Sequence, residues 1–321
     1  MSRLTLNLSF CLIAAAAICS STLHAQESRT GSWDVTFEND KWGSGSDRHY
    51  THGTRITRRS EQVPNWLRRA ADSLACLACI NPTAAALEFG QEIYTPEETW
   101  RTDLIEYDRP YAGWTYAKAS LFAERDTAHM MRKAFNAIGL QVGVVGPASL
   151  AERTQKLIHR EKDVGMSQGW DNQLNNELGV VLTYTRGVRR TLGRATGAPL
   201  RHDVSPYFVG ALGNVLTHVG GGIRLRSGVN LGSFGVVIAP GWHLFMDVEA
   251  RAVAWNIFLD GNTRSESHSV DKMPFVGRVA AGFEFSGARL RLRVASEVRS
   301  REFYGQRQPD RFSSLTFSVH P

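Results

Sequence analysis

The chain has 321 residues, 42% of them hydrophobic, with 37 lysines and arginines against 31 acidic residues and a formal net charge of +6. Beyond the N-terminus no stretch holds about eighteen uninterrupted apolar residues, which excludes a membrane-spanning helix. The positive charge is moderate and spread along the chain, so no nucleic-acid-binding tract stands out. In an exported protein such charge meets anionic lipid, and solvation of a surface or lumen accounts for it equally well.

Residues 1–25 read as a cleaved export signal. Arg3 gives the positive start, Leu12 to Ile18 form a short apolar core, and Leu23-His24-Ala25 places a small residue before the cut, leaving 26–321 as the mature domain. Ile18 is too bulky to precede a lipidated Cys19. Once the signal is removed, Cys76 and Cys79 are the remaining cysteines, and a local disulfide is expected of them in an oxidising compartment.

Period-two alternation dominates the rest. Trp33, Val35 and Phe37 alternate with Asp34, Thr36 and Glu38, and Ile138, Leu140, Val142 and Val144 alternate with small or polar partners. Leu244, Met246, Val248 and Ala250 oppose Asp247, Glu249 and Arg251, and Leu290, Leu292 and Val294 oppose Arg289, Arg291 and Arg293. Strands of about nine to eleven residues match a tilted crossing of a bilayer, and the recurrent charge on the second face suits a barrel lumen. The predicted strands are 32–39, 51–59, 85–94, 114–124, 136–145, 177–188, 204–215, 219–228, 242–256, 274–286, 288–300 and 311–319. The expectation is an all-β fold, a transmembrane antiparallel barrel of about twelve strands with a helical outer loop, integral to a Gram-negative outer membrane. A periplasmic sandwich is the rival. Against the barrel, such chains usually end on an aromatic residue, and this one ends Phe317-Ser318-Val319-His320-Pro321.

With strand one rising from the periplasm, the connections 40–50, 95–113 and 146–176 converge on the outer end and carry most of the unusual polar chemistry. The first holds Asn39-Asp40 and Asp47-Arg48-His49-Tyr50-Thr51, hard oxygen donors suited to Ca²⁺. The second holds Tyr94-Thr95-Pro96 and Asp108-Arg109-Pro110-Tyr111-Ala112-Gly113-Trp114, in which Arg101 and Arg109 have the fork geometry that holds phosphate. Pro110 to Trp114 reads equally as a turn with an interfacial aromatic. The third is too polar and too long for a turn, and loops of that length are functional or disordered. Its helix-forming run sets Gln155 and His159 four apart on one face, ahead of Trp170, Asp171, Asn172, Gln173, Asn175, Asn176 and Glu177. A neutral His159 can take a proton from water where a Lewis acid stabilises the oxyanion. No G-x-S-x-G elbow occurs, and Ser44, Ser46 and Ser149 are the serines in the right loops for a nucleophile.

Taken together, Phe37-Glu38-Asn39-Asp40, Tyr50-Thr51-x-Gly53, Ile93-Tyr94-Thr95-Pro96, Asp108 to Trp114, Val144-Val145-Gly146-Pro147, Gln155-x-x-x-His159 and Gly169-Trp170-Asp171-x-Gln173 resemble the lipid A 3′-O-deacylase family of outer-membrane barrels. The resemblance runs in order over the mature chain. It implies a twelve-stranded barrel and a Ca²⁺-dependent carboxylic ester hydrolase acting on the 3′-linked acyl group of lipid A. It also implies His159 as the base, Thr51 and Gln155 in support, Asn39 and Asp40 at the metal, and Arg101 at the substrate. The family's acidic residue after the histidine has Glu161 and Asp163 as candidates. The expected partners are lipopolysaccharide and outer-membrane lipid, not nucleic acid, with the protein acting as a monomer. An outer-membrane phospholipase with a Ser–His site and a porin-like barrel are the alternatives.

Overall fold

The computed structural model describes residues 31–40, 49–69, 81–128, 131–162, 165–192, 200–232 and 240–320. The signal segment, Ser44, Ser46, Asp47, Arg48, Cys76, Cys79 and Asp163 lie outside these residues, as does the side chain of Glu161.

Twelve antiparallel strands close into a barrel, each pairing with its neighbours in sequence and β1 pairing with β12. They are β1 (Gly31–Asn39), β2 (His49–Ser60), β3 (Ala84–Thr95), β4 (Ala112–Asp126), β5 (Arg132–Val145), β6 (Glu177–Leu192), β7 (Arg201–Gly213), β8 (Leu216–Val229), β9 (Gly241–Asn256), β10 (Phe275–Ser286), β11 (Leu290–Arg299) and β12 (Asp310–Val319). All twelve predicted strands are present, several longer than expected because polar ends continue the ladder past the apolar alternation. Among the described residues two α-helices interrupt the outer connections, α1 (Ala151–Lys162) and the single turn α2 (Ile257–Asp260), whose second amide is capped by the Asn256 side chain accepting from Phe258 N at 3.1 Å.

Alternation sorts the side chains as the pleat requires. Leu87 and Phe89 on β3, Leu140 and Val142 on β5, and Leu178, Val180 and Leu182 on β6 are exposed on the outer wall. Facing inward, Asp247 is held by Arg224 at 2.7 Å and Arg278 at 2.9 Å, Arg278 reaches Glu297 at 2.7 Å, and Asp34 receives Arg291 at 3.0 Å. The Tyr207 hydroxyl lies 2.6 Å from Asp247 and 2.8 Å from Glu249, and the two carboxylates share its one proton. Removing one member of such a pair strands the other's charge at about 3–5 kcal/mol, so this part of the lumen is specified by matched charges.

Aromatic side chains narrow the outer end of the lumen to a cavity of about 290 Å³. Tyr94 stacks on Phe258 with centroids 4.1 Å apart, Tyr50 meets Phe312 at 5.0 Å, and Trp114 stacks on Tyr116 at 5.6 Å. Trp114 is therefore inside the barrel, 3% exposed, and not the interfacial aromatic that its motif suggested. Its neighbours leave no room for a side chain at position 179, where a Cβ would come within 2.4 Å of the Trp114 ring.

Candidate functional site

The residues singled out in the sequence divide between the two sides of the wall. On β1, Asn39 falls in phase with the outward Trp33, Val35 and Phe37, while Glu38 points into the lumen, where Tyr50 and Arg55 hold it. On β3, Ile93 and Thr95 fall in phase with the outward Leu87 and Phe89, and Tyr94 points inward. β2 carries a bulge between Tyr50 and His52. Such an extra residue re-aims its neighbours, and here it lets Thr51 meet Thr95, hydroxyl to hydroxyl, at 2.7 Å. Asn39 Nδ2 donates to the Thr51 carbonyl at 3.0 Å, so its amide oxygen is turned the other way.

Helix α1 lies against the same outward surface. Its buried residues are Ala151, Gln155 and His159, one every four positions, and Leu157 stays exposed on the far side. Ala151 packs with Ile93, Tyr111 and Trp170. Gly113 lets the helix approach, because a Cβ there would lie 2.1 Å from Ser149 Oγ and 2.2 Å from Ala151 Cβ. Gln91, also outward, donates to the Ser149 carbonyl at 2.7 Å and fixes the turn that starts the helix. The Ser149 hydroxyl donates to Gly146 O at 2.6 Å and is buried in that turn, so it is committed to the fold and not poised as a nucleophile.

The Gln–His pair is oriented from behind. Trp170 Nε1 donates to Gln155 Oε1 at 2.7 Å, which sets the amide and leaves Gln155 Nε2 a buried donor with no partner among the described residues. His159 Nδ1 lies 2.8 Å from Gly165 O. A carbonyl only accepts, so Nδ1 carries the proton and Nε2 is the basic nitrogen.

The second and third outer loops are stitched into one body. Gln168 N donates to Thr99 O at 2.9 Å, Tyr111 OH to Thr99 O at 3.1 Å, and Leu174 N to Tyr111 O at 2.9 Å. Burial pushes the Tyr111 hydroxyl up to about 12, so it stays a donor. Most of the amides that looked like ligands do this structural work: Asn172 donates to Thr102 O, Asn175 to Glu266 O, and Asn176 accepts from Ala148 N. Glu177 takes the Thr263 backbone amide and the side chains of Asn262 and Asn214.

Arg101 stands at the edge of the site, its carbonyl against Gly169. Its guanidinium is shared between Glu98 and Asp103, and the hydrogen bond from Arg101 holds the Asp103 carboxyl below its ordinary range. Arg109 is not at the site. It is buried, 1% exposed, over the rings of Tyr94 and Phe303 and 3.3 Å from Glu302, so the phosphate contact expected of it has no route to lipid. Sequence reasoning also missed His49 as a buried strut, with Nδ1 2.6 Å from Asp310 and Nε2 3.7 Å from Asp108. Its partner Asp310 is 261 positions away and Asp108 lies in a different loop, and no local signal marks them.

The donors near β1 are oxygens: the Asn39 amide, the buried Asp40 carboxylate and the Thr51 and Thr95 hydroxyls. Such a set fits a hard cation and not a soft one. Among the described residues no three His, Cys, Asp or Glu side chains gather as a metal cluster.

The family described as outer membrane protein LpxR matches residues 8–320. The chain belongs to that family. Among solved structures it is similar to LpxR from Salmonella typhimurium, with a TM-score of 0.74 at 16% identity, covering 90% of this chain and 100% of that one. The β domain of the Bordetella autotransporter BrkA follows at a TM-score of 0.47 and 10% identity, covering 91% and 99%. A search of curated protein sequences found no match. The family and the Salmonella structure agree with the closed twelve-stranded outer-membrane barrel described above.

Proposed function

We propose that this protein is an outer-membrane lipid A deacylase, a Ca²⁺-dependent ester hydrolase that removes the 3′-linked acyloxyacyl group. The observation that carries the reading is the placement of Gln155, His159, Thr51 and Asn39 on the outer wall, at the end of the barrel that bears the long loops. An ester in the outer leaflet reaches this surface from the side, without entering the lumen.

His159 Nε2 accepts a proton from water, and the oxygen of that water forms a bond to the ester carbonyl carbon. The carbonyl oxygen gains the negative charge, and Gln155 Nε2 is the buried donor available to it. The C–O ester bond then breaks, and the proton on His159 passes to the departing sugar oxygen, leaving a free fatty acid. Asn39 and Asp40 would hold Ca²⁺, with Thr51 and Thr95 beside them; when bound, the ion supplies Lewis-acid stabilisation of the oxyanion. Arg101 is the cation assigned to a lipid A phosphate, which would replace Asp103 or Glu98 on its guanidinium.

The test is incubation of detergent-purified protein with purified lipid A, with Ca²⁺ or EDTA, followed by mass measurement of the products. Loss of the 3′ acyloxyacyl group in the Ca²⁺ arm alone is expected. Unchanged lipid A beside a folded barrel overturns the substrate assignment.

A further inference from the structure

The outer wall is apolar down most strands, but not at the periplasmic end of β4, β5 and β6. There Arg125, Arg132, Arg186 and Arg190 face the membrane. Arg132 is in phase with Leu140 and Val142, and Arg186 and Arg190 are in phase with Leu178, Val180 and Leu182. Arg125 pairs across with Ala134, which shares the face of Arg132. Arg132 and Arg190 stand directly opposite each other in the β5–β6 ladder. Like charges so placed repel, and Arg125 adds a third cation on the diagonal.

The inward face of the same ladder shows how the chain treats such a pair when it is structural. Lys133 and Arg189 are also directly opposed, one residue along, and both are neutralised by Glu124, at 3.5 and 2.8 Å. The outward pair has no such acid among the described residues. Among the described residues, none of the four arginine side chains makes an ion pair or a hydrogen bond. Three of them are exposed, and Arg132 is half-buried.

A second feature borders this patch. The segment after β2 turns helical over residues 65–69 and lies on the outside of the wall, where Val63 and Leu67 pack on Ala85 and Leu121, with Ala119 and Ile138 beside them. It leaves Trp66 57% exposed and Arg68 exposed. Trp and Arg on an apolar segment are the anchors of a membrane interface, so this level of the barrel is the level of lipid head groups in the periplasm-facing leaflet.

We propose that Arg125, Arg132, Arg186 and Arg190 form a binding site for the head group of an anionic phospholipid. The guanidinium fork matches two oxygens of a phosphodiester, and a single phosphate between Arg132 and Arg190 removes the repulsion that no described side chain relieves. The exposed Val188 and Leu192 alternate with Arg186 and Arg190 on the same face, which suits a phosphate that arrives attached to acyl chains over one that arrives free.

The test uses the full barrel in nanodiscs of phosphatidylcholine and phosphatidylglycerol, with retained lipids weighed by native mass spectrometry after gentle extraction. Wild type is expected to retain phosphatidylglycerol over phosphatidylcholine by about tenfold, and the double variant Arg132→Gln/Arg190→Gln by about onefold. Arg132→Lys/Arg190→Lys keeps the charge and loses the fork, and an intermediate preference is expected. Thermal melting of each variant separates loss of the site from loss of the barrel, and Arg186→Gln, on the same face of β6 as Arg190, is expected to lower the preference by less than the double variant does. No preference in wild type, or an undiminished preference in the folded glutamine variant, overturns the proposal. Displacement of phosphatidylglycerol by millimolar inorganic phosphate overturns the lipid as its source. None of these readings depends on ester hydrolysis.

Discussion

Gly113→Ala tests whether the position of α1 on the wall matters to chemistry. The new Cβ would come 2.2 Å from Ala151 Cβ and 2.1 Å from Ser149 Oγ. Carbon atoms in contact keep about 3.5–4.0 Å apart, so the start of the helix must move outward by about 1.5 Å. Overpacking of this kind costs about 1–3 kcal/mol, small beside the ladder that holds a twelve-stranded barrel. The helix nevertheless carries Gln155 and His159, and misplacing a reacting group by about 1 Å lowers a rate by about a hundredfold. The expected result is a folded barrel, melting a few degrees below wild type, that deacylates lipid A about a hundredfold more slowly. The assay is the appearance of free fatty acid by mass, set beside a melting curve. Gly277→Ala is the control, since nothing lies within 4 Å of a Cβ there. Wild-type turnover by the Gly113 variant would show that the helix can shift without consequence and would refute the reading of α1 as the positioned element.

Other substitutions probe separate links. His159→Ala should abolish hydrolysis while the melting curve stays that of the barrel, and retained activity would remove the base from the mechanism. Trp170→Phe deletes the donor to Gln155 Oε1 and leaves a buried carbonyl unpaired at about 1–3 kcal/mol; a fall in turnover of about tenfold or more is expected, with lipid affinity unchanged, as read from kcat and KM separately. Arg278→Met leaves Asp247 with Arg224 alone and Glu297 with Arg299 alone and should lower stability by about 1.5–3 kcal/mol, the worth of hydrogen bonds to charged groups, measured by urea unfolding in lipid vesicles, with little change in rate at the distant site. EDTA should stop turnover, and added Ca²⁺ should restore it; full activity in EDTA would remove the metal.

The strands were legible because alternation is a local property: Leu244 to Ala250 against Asp247 and Glu249 states both faces of β9 in one stretch. Helix α1 was legible for the same reason, through helix-forming residues and the four-residue spacing of Gln155 and His159. Which side of the wall a loop residue falls on was not. That depends on the bulge at Thr51 and on the absence of a side chain at Gly113, which together bring the helix onto the outer surface. Arg109 shows the limit most clearly. Its sequence neighbourhood suits a phosphate contact, yet Glu302, 193 positions later, and the rings of Tyr94 and Phe303 enclose it. Closure of a barrel brings such pairs together, and no short window contains them.

A reaction centre on the outer wall obeys the arithmetic of a surface. Its substrate is counted per area of leaflet, so bulk dilution leaves the rate unchanged, while mixing inert lipid among the substrate molecules lowers it. Saturation is then set by mole fraction, and the deacylated product, still anchored by its remaining chains, stays within reach as a competitor. If α1 carries the chemistry as proposed, the exposed Leu157 on its free side would put acyl chains against the same helix, so their packing would become a kinetic variable.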